Sequence, residues 1–125
     1  MNVLIVHAHP EPRSFNGAPT RTAVAALREQ GHAVEVSDLY AMKWKPAADA
    51  DDHAGPREDQ GYLPIDREQT FAHDAGTTVR DIVAEQEKVR RANVVLSQYP
   101  MWWSGPPAIL KAGHPHHDDR SLVCD

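Results

Sequence analysis

The 125-residue chain has the length of one ordinary domain, enough to bury roughly two-thirds of the surface its unfolded form exposes. Lys and Arg total 13 against 18 Asp and Glu, a formal net charge of −5 with histidine neutral. That balance argues against a nucleic-acid surface, because phosphates call for clustered positive charge; Lys88, Arg90 and Arg91 have Glu85 and Glu87 beside them and read as a solvated helix face.

Val3 to Val6 is a continuous aliphatic run, apolar on both faces, and predicts an inner strand of a parallel sheet. A helix is expected over Ala18 to Gln30, with Ser14 and Asn16 as N-cap types and Gly31 as the stop. Pro19 is tolerable there because it falls in the first turn. Ala33 to Ser37 alternates on Val34 and Val36 and predicts a second strand. Strand, helix and strand in this space form a βαβ unit, hence a parallel pair. From Lys43 to Asp74 the periodicity fails. Pro46, Pro56 and Pro64 and the acidic Asp49, Asp51 and Asp52 describe a long surface excursion, with a short helix near Asp66 to Ala72. Loops of this length are often functional. Val79, Ile82, Val83, Gln86 and Val89 then repeat at helical spacing, with Arg80, Asp81, Glu85 and Lys88 facing away. Asn93 to Gln98 predicts a third buried strand, and another helix opens near Pro107.

Cys124 is the only cysteine, so no intrachain disulfide forms, which suits a reducing cytosol. The start lacks the basic region of a signal peptide, and no apolar stretch approaches the ~20 residues that span a bilayer. The expectation is a soluble, cytoplasmic protein.

Three strands alternating with helices indicate an α/β sheet, whose ligand sits outside the carboxyl ends of the strands where strand order reverses. Two loops lie there. In the first, His7, His9, Ser14 and Asn16 lead into a helix start, whose N–H groups and dipole favour an anion, most often a phosphate. The same Ser14 and Asn16 could simply cap the helix. No glycine-rich P-loop or dinucleotide fingerprint is present. His7 and His9 could share a side and chelate a metal, yet no carboxylate or thiol completes a zinc set, and no metal site is expected. His114, His116 and His117 would take up transition metals in vitro whatever their role. In the second loop, Trp102 and Trp103 follow a strand, where aromatic faces can stack on a flat heterocycle or cover the core. Together the two loops suggest a flavin.

Three stretches carry a family likeness: Ala8 to Asn16 (AHPEPRSFN), Ser37 to Met42 (SDLYAM), and Asp81 to Gln86 continuing to Pro100-Met101-Trp102-Trp103 and Pro107 to Lys111. With their order and spacing, the chain resembles the NAD(P)H:quinone oxidoreductases of the DT-diaphorase and modulator-of-drug-activity type over about residues 2 to 111. The resemblance implies a flavodoxin-like three-layer sandwich whose parallel sheet has order 2-1-3-4-5, here truncated to about three strands in order 2-1-3. It implies a tightly held flavin, FAD or FMN, which passes hydride from NAD(P)H to a quinone, in a homodimer with the active site at the interface. By that similarity His9, Ser14, Phe15 and Asn16 contact the flavin's phosphate and ribityl side, and Pro100, Met101, Trp102 and Trp103 lie along its ring. No catalytic residue is assigned, because the family's hydride-assisting tyrosine and histidine have no counterpart here.

After Lys111 the family pattern stops. Residues 112–125 are expected to form a non-family, disordered tail, as of a shifted or early-ended reading frame, beyond a partial domain at 1–111. The expectation is therefore an oxidoreductase with little activity of its own. The alternatives are a flavin-binding module like the ancillary subunits of potassium efflux systems, or an inactive remnant.

Overall fold

The aliphatic run near the start of the chain becomes the middle of a sheet. In the computed structural model, which describes residues 1–113, β1 spans Asn2–His7 and lies between β2 (Ala33–Asp38) and β3 (Val94–Gln98). Both pairings are parallel, in registers Ile5↔Val36 and Ile5↔Leu96. The expected order 2-1-3 is the order found. The predicted tail lies outside the described residues from residue 114 onward.

Side chains of β1 alternate between two faces, and both are covered. Helix α1 (Gly17–Glu29) lies on the face of Val3, Ile5 and His7, where Thr20 meets His7. Helix α3 (Arg80–Arg91) lies on the other face, where Leu4, Val6, Ala8, Leu39, Trp44, Ile82 and Leu110 form one core cluster. The last of these comes from α4 (Ala108–Gly113), which follows Pro107 as expected. Ile5 is 0 % exposed and Leu4 2 %, the burial of a central strand.

Three inferences of burial are corrected. The third strand, expected to be buried, is an edge whose Val94 and Val95 are 43 and 48 % exposed. On β2, Val36 is 38 % exposed while Ser37 is fully buried. On α3, Val83 is exposed and Glu85, expected to face water, is buried. The last two are one event: Ser37 Oγ donates to Glu85 Oε2 at 2.5 Å, and Lys88 Nζ reaches both Glu85 Oε1 (2.5 Å) and Ser37 Oγ (3.2 Å). A polar pair across the helix–sheet contact has taken the place that the periodicity assigned to apolar groups.

The excursion after β2 is better ordered than its composition suggests. Lys45 holds Asp49 at 2.5 Å and Asp52 at 3.0 Å, around a 3-10 turn at Ala50–Asp52. Its hydrogen bond to Asp49 is the main reason the ammonium pKa is pushed up to about 12. Helix α2 (Ile65–Ala75) is longer than the expected 66–72 and is bracketed by Pro64 and a left-handed Gly76. From it the buried Glu68 accepts the backbone N–H of Glu58 (3.1 Å) and Asp59 (2.9 Å), tying the loop down. No described helix is long and apolar enough to cross a membrane.

Candidate functional site

The two loops singled out by the sequence leave the carboxyl ends of β1 and β3. Strand order β2-β1-β3 makes the gap between those ends the point where progression across the sheet reverses.

At the end of β1 the His7 ring turns under α1, its Nδ1 2.9 Å from Thr20 Oγ1. Burial holds its pKa below the ordinary 6.5; Asp38 pulls the other way, and His9 and Arg21 reinforce the lowering. The fold thus prefers neutral His7. Its contribution to stability is complete above pH 6.5 and is lost as pH falls through the lower folded-state value. The urea midpoint is expected to drop on acidification below pH 6.5, and less steeply in His7→Gln. Parallel pH profiles for the two proteins would place the acid sensitivity elsewhere.

His9 is held differently. Its Nδ1 lies 3.0 Å from the Glu11 backbone nitrogen and 3.2 Å from Glu11 O, so this atom is committed to Glu11; in the tautomer that accepts the Glu11 N–H, Nε2 carries the proton as a donor. The Nδ1 atoms of His7 and His9 are committed to different partners. No group of three or more metal-ligating side chains occurs among the described residues.

The start of α1 departs from the expected row of N–H groups. Gly17 N–H is shared by Ser14 O (3.1 Å) and Ser14 Oγ (3.2 Å), Ala18 N–H goes to Phe15 O (3.2 Å), and Pro19 has none. The backbone donors that remain without an acceptor among the described residues are those of Phe15 and Asn16. The first turn carries no acidic residue, so the positive end of the dipole stays uncompensated. Asn16 occupies the N-cap but makes no capping bond. Its Oδ1 instead accepts Gln98 Nε2 from the end of β3 at 3.1 Å.

In the second loop Pro100 is buried, while Met101, Trp102 and Trp103 are exposed by 67, 42 and 102 %. Trp102 N–H bonds to Gly105 O (2.9 Å) and Gly105 N–H to Trp102 O (3.1 Å). Between them Trp103 and Ser104 have φ of 51° and 63°. Two successive left-handed residues make a type I′ turn, which normally uses Asn and Gly. Each non-glycine residue costs about 1–2 kcal/mol there. The turn holds the Trp103 indole fully in solvent, and strain of this kind collects at ligand sites. Trp102 N–H is spent within the turn, so Trp103 and Ser104 supply any outward backbone donors.

The loops meet. The Trp102 ring lies against the His9 ring, centroids 5.8 Å apart and planes at 60°. Phe15, 86 % exposed, stands on the first loop. An anion-favouring corner with neutral donors thus adjoins a shelf of aromatic faces. Sequence reasoning missed Thr20 and Gln98; both were placed in elements but given no role.

The sequence profile of the flavodoxin-like fold matches residues 1–112. The chain belongs to the flavodoxin-like family. It is 47 % identical over 111 residues to a Penicillium crustosum protein named ribosyldihydronicotinamide dehydrogenase-like protein traD, covering 89 % of this chain and 41 % of that one. It is 44 % identical over 109 residues to human ribosyldihydronicotinamide dehydrogenase (quinone), covering 87 % of this chain and 47 % of that protein. A solved Klebsiella pneumoniae structure described as a candidate quinone reductase superposes with a TM-score of 0.80 at 50 % identity, over 90 % of this chain and 43 % of that one. This flavodoxin-like chain therefore spans less than half the length of these relatives.

Proposed function

We propose that the site binds a flavin, FAD or FMN, and that the chain is a flavoprotein of the NAD(P)H:quinone oxidoreductase type with little activity of its own, with residues 1–111 as its flavodoxin-like unit. The observation that carries this is the contact of Trp102 with His9, which joins an anion corner and an aromatic shelf at the switch point of the sheet. A flavin, when bound, supplies two-electron hydride transfer between nicotinamide and quinone. The chain's own groups bind and orient. His9 Nε2, the Asn16 amide, the Phe15 and Asn16 N–H groups and the Ser14 hydroxyl, whose oxygen accepts Gly17 N–H and whose proton can still donate, are donors for a phosphate. Pro100, Met101, Trp102 and Trp103 offer the flat surface for the ring. Relatives named as quinone dehydrogenases support the substrate class. The same reading carries a cytoplasmic homodimer, in which a partner would cover the exposed Phe15.

Titration of FMN and FAD with the purified chain, followed by flavin fluorescence, tests the proposal. Saturable quenching is expected, weakened about tenfold or more in Trp103→Ala (~1.4 kcal/mol) with the melting temperature unchanged, because that indole is wholly exposed. No saturation up to ~100 µM, an affinity weaker than about −5.5 kcal/mol, would reject it. Binding without NAD(P)H-dependent menadione reduction would make the chain a flavin-binding module and not a reductase.

A further inference from the structure

Gln98 ends β3, and its carbonyl accepts the Ala8 N–H at 3.0 Å, which ties the exit of β1 to the exit of β3. Its side chain reaches across to the first loop, where Nε2 donates to Asn16 Oδ1 at 3.1 Å. Ser14 Oγ already takes the Gly17 N–H, so Asn16 is released from the capping its type and position predict. A carboxamide is two-sided, with an acceptor oxygen and a donor nitrogen about equally placed. Once the oxygen is engaged by a donor, the nitrogen is the end left for a ligand.

We infer that Gln98 is a positioning residue that locks the Asn16 carboxamide with its Nδ2 as donor, and so makes the corner beside His9 selective for a hydrogen-bond acceptor, a phosphate oxyanion. The inference rests on the flavin-phosphate reading of the site, and it concerns a residue that does not itself meet the ligand. Glutamate at position 98 would accept only, so Asn16 would turn its nitrogen inward and present its oxygen to the phosphate. Leucine would leave the carboxamide free to rotate.

The test pairs a flavin-free measurement with a binding series. Side-chain 15N relaxation of the Asn16 amide should show it ordered in the wild-type chain and mobile in Gln98→Leu. FMN affinity should fall about fivefold in Gln98→Leu, the worth of one neutral hydrogen bond, and further in Gln98→Glu. Riboflavin, which lacks the phosphate, should bind all three alike. An Asn16 amide equally mobile in wild type and Gln98→Leu would overturn the inference. So would equal weakening of riboflavin, which marks a merely structural effect. If the wild-type chain binds no FMN, the flavin reading fails by itself, and inorganic phosphate becomes the probe. A phosphate-dependent shift of the Asn16 amide that disappears in Gln98→Leu would then still support the positioning role, and its absence would overturn it.

Discussion

Gly17→Ala is expected to cost the chain both stability and the proposed flavin site. Gly17 opens α1 and is buried; a β-carbon built on it would lie 2.4 Å from Pro12 O and 3.3 Å from Pro12 C. Both are backbone atoms, and Pro12 O is also held by Arg21 Nη1 at 2.7 Å, so the carbonyl has no easy retreat. The turn at Glu11–Ser14 must move away from the helix, and it carries the Ser14 group that receives Gly17 N–H and the Glu11 N–H that fixes His9. Overpacking of this kind costs about 1–3 kcal/mol, against a gain of up to ~1 kcal/mol from the better helix propensity of alanine. Flavin affinity should fall by about tenfold or more, as ~1.4 kcal/mol of lost positioning requires. Gly31→Ala is the control. Gly31 sits at φ 83° with open space where its β-carbon would go, so alanine there strains the backbone by about 1–2 kcal/mol without touching the loop. Thermal melts should drop for both variants, and FMN binding only for Gly17→Ala. Unchanged FMN affinity in Gly17→Ala would mean that the first loop is not part of the site.

What the sequence showed and what it hid separate along one physical line. β1 was legible because Val3 to Val6 is buried on both faces, so every residue must be apolar and no phase has to be chosen. β2 and α3 were misread in phase. Val36 on an edge strand is exposed and Ser37 buried because a specific carboxylate, Glu85, comes to meet Ser37 from a helix 48 positions later. No local periodicity records that meeting. The core of α2 was legible at 66–72, and its full extent is set by Pro64 and Gly76 at its two ends. Glu68 was given no role by the sequence, and its burial follows from the loop that folds back onto it. The site divides the same way. His9, Ser14, Asn16, Trp102 and Trp103 stood out by type and by their place after a strand, whereas Phe15, Pro100 and Met101 entered only through the family resemblance. Gln98 and Thr20 did not, because their roles exist only once β3 lies beside β1 and α1 lies over His7.

The largest effect on stability alone is expected at the Ser37–Glu85–Lys88 cluster. The Glu85 side chain is 9 % exposed and that of Lys88 23 %. The carboxylate therefore leaves water almost completely, and the ammonium beside it offsets the cost. Lys88→Met leaves the buried charge with one hydroxyl, Ser37, as its partner. Removing one member of a buried pair costs about 3–5 kcal/mol. The partial exposure of Lys88 puts this case at about 3, which lowers the melting temperature by roughly 10 °C for a domain of this size. Removing both charges is a different matter. In Glu85→Leu/Lys88→Met no charge is stranded, but the Ser37 hydroxyl, fully buried, loses both partners, a penalty of about 1–3 kcal/mol. Adding Ser37→Ala removes that orphan as well, and the triple variant should melt within a few degrees of the wild-type chain, because well-packed apolar groups commonly replace a buried ion pair without loss. Calorimetry or circular dichroism melts of the three proteins settle the point. A Lys88→Met melt within ~2 °C of wild type, about half a kcal/mol, would show that solvent screens the pair as it does at a surface, and that Glu85 is tolerated inside the fold for its hydrogen bond to Ser37 alone.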